Sequence, residues 1–450
     1  MKVPEKVHLI CSTLKQAGFE AWVVGGAVRD SLLGKDAHDF DLTTNARPEL
    51  ISGLFSHVIE TGIQHGTVTV MLEGEAYEVT TFRGEGVYSD GRRPDEIQFL
   101  DRIDQDLARR DFTMNSIAYD PIGNVFCDPF NGRSDIRTRT IRAVGDPVER
   151  FSEDGLRSLR ALRFMVTLGF EVDSQTYKAI PITLGTYSKV SAERVRDEWF
   201  KIMTAHLPSE AFRAMAYTGM LNITVPEMIP MINCTQNRYH GFDVWEHSLA
   251  TLDACPEEDL VLRWGALFHD IGKPRSKGVH PEHGDATFYN HENIGADMAI
   301  DILSRLKLSN EDQERITHLI RHHFIRYNSE WSPATIRRWV RRVGLDNVTS
   351  LCTLARADIF GKGHAKVQLE EDLINELESK IANMRVTEVL PTSTKVLTVN
   401  GHDVMIHLGI GPGPTIGKVL TALLELVTDN PEVNTRENLL TLAETIVAST

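Results

Sequence analysis

The sequence predicts an α+β chain: a small mixed β-sheet with flanking helices near the N-terminus, followed by a long all-α remainder. Three observations predict it. Short runs rich in Val, Thr, Tyr and Phe (AWVVG, FDLTT, HGTVTVML, YEVTTFR, IAYD) recur between about residues 21 and 130, with helix-like segments between some of them. After about residue 136 these runs largely give way to helical periodicity, as in EDGLRSLRALRFMVTLGF and SAERVRDEWFKIMTAHL. A length of 450 residues exceeds what one hydrophobic core usually organises, so several domains are expected.

The elements follow in order. Residues 4–17 alternate apolar and polar positions at helical spacing, and Gly18 follows as a stop. The strand-like Ala21-Trp22-Val23-Val24 runs into Gly25-Gly26 and the helix-like AVRDSLLG, and a second strand begins near Phe40. Histidines concentrate between residues 240 and 364, which marks a separate helical module. A last helical region is interrupted by the turn-forming GIGPGP at 409–414.

Composition narrows the class. Apolar content of 42% and charged content of 25% are those of a globular protein. No stretch approaches the roughly 18 apolar residues of a membrane helix, so a soluble protein with no membrane partner is expected. Five scattered cysteines, never paired as CxxC, argue against a disulfide framework or a thiolate zinc site and fit the cytoplasm. A net charge of −15 disfavours general adhesion to nucleic acid, so any such site must be a local basic patch. One arginine series, Arg137 to Arg163, and another, Arg315, Arg321, Arg326, Arg337, Arg338, Arg341 and Arg342, are candidates; a solvated helix face explains the second equally well.

Two constellations carry chemistry. If Phe40-Asp41-Leu42-Thr43 is a strand, Asp39 and Asp41 share a face and can hold the same divalent metals. Gly25 and Gly26, at a strand-to-helix junction, allow backbone N–H groups to approach phosphate oxygens, with Arg29 one turn on. Glu78, on the run YEVTTF, can flank them. Phosphoryl and nucleotidyl transfer needs this combination of metal-fixing carboxylates and phosphate donors.

At this point the chain resembles a family. GGAVRD, HDFDLTT, IETGIQHGTVTV, YEVTTFR, GVYSDGRRP, LARRDFTMNSIAYD and VGDPVERFSEDGLRSLRALRF are similar to the successive motifs of bacterial class II tRNA nucleotidyltransferases, the CCA-adding enzymes. Related motifs occur in poly(A) polymerases and in A-adding or CC-adding enzymes of split systems, which are the alternative readings. The resemblance implies a nucleotidyltransferase head (1–138), a neck for base recognition (139–205), a body (206–365, with its HD module at about 240–365) and a tRNA-binding tail (366–450). It implies untemplated addition of CCA to the tRNA 3′ end from CTP and ATP with release of pyrophosphate, Asp39 and Asp41 binding two Mg²⁺ ions and Glu78 corresponding to a third carboxylate. Gly25, Gly26 and Arg29 would hold the triphosphate, Arg110 and Asp111 would contact the nucleotide, and Asn115 would help fix that loop.

For base choice, the run Glu153-Asp154-Gly155-Leu156-Arg157 places Asp154 and Arg157 at i and i+3 of an expected helix. A carboxylate accepts from the exocyclic amine that C and A share, and a guanidinium donates beside it. Glu153 would brace the arginine, and Arg160 and Arg163 continue the face toward the nucleotide by resemblance. The polar run RGEGVYSDGRRPDEIQ at 83–98 corresponds to a family loop that supports the switch from C to A addition.

The second constellation runs through HGFDVWEHSLATLDACP, LRWGALFHDIGKP, FYNHENIGADMA, HLIRHHF and ARADIFGKG. His247, His269-Asp270 and Asp358 match in order the ligands of the HD phosphohydrolase superfamily, whose imidazole and carboxylate mixture suits Mn²⁺, Fe²⁺, Ni²⁺ or Zn²⁺. His291 and His322 are candidates for a second metal, ahead of His240, His318 and His323. Such a module can hydrolyse a phosphomonoester or a 2′,3′-cyclic phosphate, or serve only as scaffold.

Overall fold

A computed structural model of the chain describes residues 1–63, 66–84, 98–237, 241–363, 367–387, 390 and 392–448. Most of the 83–98 loop, and His240, therefore lie outside the described residues. The chain divides into two compact units, Met1–Pro226 and Glu227–Thr450. Among the described residues no helix is long and apolar enough to cross a membrane.

The first unit carries the sheet. Its strands are β1 (Ala21–Val24), β2 (Asp41–Thr44), β3 (Val58–Gly62), β4 (Thr67–Leu72), β5 (Glu75–Thr81), β6 (Ala118–Asp120) and β7 (Val125–Cys127), in the spatial order β3-β4-β5-β2-β1-β6-β7. Every neighbouring pair is antiparallel except β2 and β5, which run parallel with Leu42 opposite Val79. The mixed sheet expected from the β-rich runs is present. The first helix, Glu5–Gln16, buries Val7, Ile10, Cys11 and Leu14, one face at helical spacing. The helix Ile103–Ala108 lays Ile103 and Leu107 on a core that includes Val24, Phe82 and Ala118. Both therefore fix β1, from whose end the first site is built.

The rest of this unit is helical, apart from a two-residue parallel pairing of Thr140–Ile141 with Glu171–Val172. The EDGLR run departs from expectation. Asp154 is not helical: it stands at φ −142° and ψ 109° between the helices Pro147–Glu153 and Leu156–Leu168. The reason is Gly155, where an added Cβ would lie 2.6 Å from the backbone of Thr186 and Tyr187. The chain breaks there because another segment crosses it in contact.

In the second unit, Val244–Ala254, Leu260–Phe268, His291–Arg305, Asn310–His322 and Val348–Gly361 are helices, and a small hairpin pairs Lys277–Val279 with Ala286–Phe288. Further on, Gly401–Leu408, Pro414–Asp429 and Arg436–Ala448 share a core containing Val404, Val419, Leu423 and Leu439. The helix Pro333–Val343 is tied to that group: Arg337 donates to the Thr428 and Asp429 carbonyls at 2.6 and 2.9 Å, satisfying the C-terminal end of Pro414–Asp429.

Candidate nucleotidyltransferase and HD sites

The first site forms where β1 ends. Gly25 takes φ +74°, which a glycine adopts without steric cost, and opens the helix Gly26–Leu32. A Cβ at Gly25 would sit 3.5 Å from Arg110 Nη1 and 3.6 Å from Asp41 Oδ2, so the glycine leaves the space between a guanidinium and a carboxylate clear. Asp41 starts β2 opposite Val24, while Asp39 stands just before the strand and is exposed. Glu78 precedes Val79 as Asp41 precedes Leu42, so the two acids occupy corresponding places on adjacent strands. Burial, then the charge of Asp39, and more weakly Glu78, push the Asp41 carboxyl up to about 6 against the opposing pull of Arg110. Clustered oxygens that repel one another are a donor set for a hard divalent cation.

Behind these carboxylates runs a chain of charged hydrogen bonds. Arg29 donates to Asn115 Oδ1 at 2.8 Å, Asn115 donates to Asp111 Oδ1 at 3.1 Å, and Arg160 donates to Asp111 Oδ2 at 2.8 Å. Burial alone would raise the Asp111 carboxyl, but Arg160, Asn115 and Arg157 hold it down at about 2. The Phe164 ring lies beneath the guanidiniums of Arg29, Arg160 and Arg163, at 5.2, 5.5 and 3.7 Å. Arg163 is ion-paired with Glu198, which is buried.

The expected sharing of one helical face by Asp154 and Arg157 does not hold, because the chain breaks between them. Asp154 instead receives both terminal nitrogens of Arg194, at 3.1 and 2.6 Å. Arg157 is braced by Glu153, as anticipated, and donates to the carbonyls of Arg150 and Arg109 at 3.1 and 3.0 Å. Arg194 and Glu198 escaped the sequence reading. Their i, i+4 spacing in AERVRDE, on a helix that buries Val195, Trp199 and Ile202, was the available signal.

The ligand histidines and Asp270 of the second site are buried. His247, His269 and Asp270 form one triplet of converging ligand atoms, and Asp270, His291 and His323 form another. Asp270 belongs to both. Asp358 Oδ1 joins the first at 2.9 Å from His247 Nε2 and 3.6 Å from His269 Nε2. Asp270 Oδ2 lies 3.3 and 3.2 Å from those two nitrogens, and its Oδ1 lies 3.4 Å from His291 Nε2 and 3.8 Å from His323 Nε2.

His269, His291 and His323 each place Nδ1 on a backbone carbonyl, of Ala266, Phe288 and Ile320, at 2.7, 2.8 and 2.7 Å. Those bonds assign the proton to Nδ1 and aim Nε2 inward as a ligand. Burial alone would lower the His269 imidazole, yet the charges of Asp270 and Asp358 raise it to about 10. The carboxylates thus call for positive charge at that nitrogen, of the kind a bound metal ion would supply. Lys273, unnoticed in the sequence although it stands i+3 from Asp270, reaches Asp270 Oδ2 at 2.6 Å.

His291 is where the sequence placed it, but His322 is not. His323 completes the second triplet, while His322 packs against His318 with ring centroids 4.5 Å apart, and burial with neighbouring His318, Arg342 and Arg321 lowers it to about 4. The helix explains the exchange: Ile316, Leu319 and Ile320 are its buried stripe, and His323 continues that stripe at i+7, i+4 and i+3. His318 Nε2 donates to the Val343 carbonyl oxygen at 2.7 Å, and among the described residues it joins no triplet.

Comparison with known proteins finds matches in both units. The family model described as the Poly A polymerase head domain matches residues 21–142, that described as the probable RNA and SrmB- binding site of polymerase A matches 169–232, and that described as the HD domain matches 239–361. A CCA-adding enzyme of Lactobacillus helveticus is 46% identical over 229 residues, 50% of this chain and 57% of that protein, so the aligned part spans just over half the length of that relative. One from Geobacillus sp. (strain WCH70) is 34% identical over 442 residues, covering 98% of this chain and 96% of that protein. The crystal structure of the Bacillus stearothermophilus CCA-adding enzyme in complex with CTP superposes with a TM-score of 0.73 at 28% identity, covering 100% of this chain and 99% of that one. With likeness of that level sustained over nearly the whole Geobacillus protein, the chain belongs to the CCA-adding enzyme family.

Proposed function

We propose that the protein is a tRNA nucleotidyltransferase that adds C, C and A to the 3′ end without a nucleic-acid template. The observation that carries this is the space bounded by Gly25, Asp41 and Arg110, with Asp39 and Glu78 beside it. In the reaction the tRNA 3′-hydroxyl gives up its proton, its oxygen bonds to the α-phosphorus of CTP or ATP, and the bond to the β-phosphate breaks to release pyrophosphate. Divalent ions, Mg²⁺ by the oxygen-only donor set, would be held by Asp39 and Asp41 and would lower the pKa of the hydroxyl and neutralise the leaving group. Gly25 and Gly26 offer backbone to the triphosphate, and Arg29 and Arg110 offer charge.

Asp154 and Arg157 remain the residues assigned to the base. Asp154 Oδ1 accepts from both Arg194 and the Leu156 N–H, whereas Oδ2 accepts from Arg194 alone and keeps a second lone pair for the amine of C or A. Arg157, fixed from two elements, is a rigid donor. The division into head, neck, body and tail, tRNA contact by the tail, and a cytoplasmic setting complete the reading; the five cysteines are unpaired. A tRNA transcript lacking CCA, given CTP alone, ATP alone or both, tests it. Growth to full CCA only with both supports it, and growth with ATP alone overturns it in favour of a poly(A) polymerase or an A-adding enzyme.

For the HD cluster we propose metal-dependent hydrolysis of phosphate ends, including 2′,3′-cyclic phosphates. A transition metal such as Mn²⁺, Ni²⁺, Fe²⁺ or Zn²⁺ fits the imidazole-rich triplets and would activate water. Lys273 is placed to hold Asp270 ionised. Assays with Mn²⁺ and Ni²⁺ on a phosphomonoester and on 2′,3′-cyclic CMP decide it; no turnover, or turnover surviving Asp270→Ala, counts against it.

A further inference from the structure

Three cavities in the second unit share walls. The HD cavity, about 390 Å³, is lined by Asp270, His291, His323 and Asp358 and also by Phe324 and Arg326. Phe324 and Arg326 line a second, of about 520 Å³, together with Arg321, Trp331 and Arg342. Trp331 and Arg342 line a third, with Arg338, Trp339 and Arg341. The shared residues make one path from the metal-ligand cluster to the helix Pro333–Val343.

The arginines along this path are of two kinds. Arg338 and Arg341, with buried Arg337 on the same helix, are engaged with Thr428, Asp429 and Glu425 and hold two helices together. Arg326 and Arg342 are exposed and, among the described residues, pair with no carboxylate; Arg326 lies 4.8 Å over the Phe324 ring. Arg321 makes only an exposed pair with Asp297 at 3.0 Å. Phe324 is 49% exposed, yet its ring centroid is 6.0 Å from that of His291. Trp331, half-buried, is propped edge-on against Tyr327 at 5.4 Å. Glu292 is the acidic residue facing the second cavity, and it sits 3.3 Å from His291 Nδ1. In a chain of net charge −15, a groove with unneutralised guanidiniums beside partly exposed aromatic rings is a local exception.

We propose that this groove binds a single-stranded RNA 3′ segment, with Arg321, Arg326 and Arg342 on phosphates and Phe324 and Trp331 under bases, and passes the terminal phosphate to the HD cluster. Stacking platforms need unstacked bases, which selects single strands over duplex, and guanidiniums select the polyanion. The delivery step rests on the hydrolytic reading of the HD cluster; the binding step does not.

The full chain is incubated with a 3′-phosphorylated hexaribonucleotide carrying 4-thiouridine, and crosslinks and salt-dependent affinity are measured. Crosslinks are expected within residues 321–342. The double variant Arg326→Ala, Arg342→Ala should lose them and flatten the slope of log affinity against log salt by roughly 1.4. Phe324→Ala should weaken binding about tenfold, and Arg342→Lys should keep it. Crosslinks only elsewhere, an unchanged slope, or tighter binding of a duplex or of polyglutamate would overturn the groove. The two readings fail separately: absent hydrolysis of 2′,3′-cyclic CMP removes the HD activity and leaves the crosslinks to decide the groove. Hydrolysis with a KM for cyclic-phosphate-ended RNA that Arg342→Glu does not raise removes the groove alone.

Discussion

Asp41 and Asp270 are both carboxylates aimed at cations, but their surroundings differ in kind. Asp41 sits at a strand end with two exposed acids nearby, and its carboxyl is pushed up to about 6. Asp270 is 1% exposed; burial alone would raise it, but His269, Lys273 and His247 hold it well below the usual carboxylate range. The HD cluster carries its own positive partner in Lys273, and three of its imidazoles, those of His269, His291 and His323, are fixed through Nδ1, so most of it is built before any ligand arrives. The sheet-end site has an excess of negative charge and an open space, which on the proposed function metal and nucleotide would complete. A binding site for a changing substrate suits the second design, and a fixed metal centre suits the first.

The sharpest way to break this comparison is reciprocal mutation. Asp41→Ala should lower nucleotide addition by at least about 10³-fold, given the several kcal/mol that metal-held charge stabilisation supplies, and leave phosphohydrolysis unchanged. Asp270→Ala should do the reverse. Assaying both activities on both variants checks the independence of the two sites, and joint loss in either variant contradicts it. Within the HD cluster, His323→Ala should cost more metal affinity than the roughly 10–100-fold typical of an outer partner, while His322→Ala should leave it unaltered. Metal analysis after dialysis reads this directly, and equal effects would undo the assignment.

At the sheet-end site, Arg157→Ala should relax discrimination of C and A against U and G by roughly 10–100-fold. Competing nucleotides in single-addition assays measure it, and retained selectivity would remove Arg157 from base recognition. The smallest effect concerns pH. Because the Asp41 carboxyl is raised, it is protonated below about 6, and a cation must then displace that proton. Metal affinity at this site should fall by about tenfold per pH unit below that value, whereas Asp111, held down at about 2, stays ionised throughout. Titration calorimetry with Mg²⁺ and a non-hydrolysable nucleotide from pH 5 to 8 follows it, and a flat profile would refute the charge excess.

What the sequence determined by itself was periodic or contiguous. The first helix is visible because Val7, Ile10, Cys11 and Leu14 repeat with the helical turn, and the sheet because its runs are short and bounded. GGAVRD and HDFDLTT were legible as spatial neighbours because a strand-to-helix turn and a following strand are local geometry. His323 was legible in principle, since the stripe from Ile316 selects it over His322.

Tertiary structure decided the rest. Asp154 and Arg157 look like helical neighbours until the segment at Thr186 and Tyr187 crosses Gly155, a contact 31 residues away in the chain that no local pattern encodes. Arg194 reaches Asp154 across 40 residues for the same reason. The second arginine series shows the limit most plainly. Within it, Arg337, Arg338 and Arg341 tie to a helix distant in sequence, Arg326 and Arg342 are open guanidiniums along a groove, and Arg321 there pairs only with exposed Asp297. Composition fixes how much charge a segment carries, but only packing decides which charges are already answered.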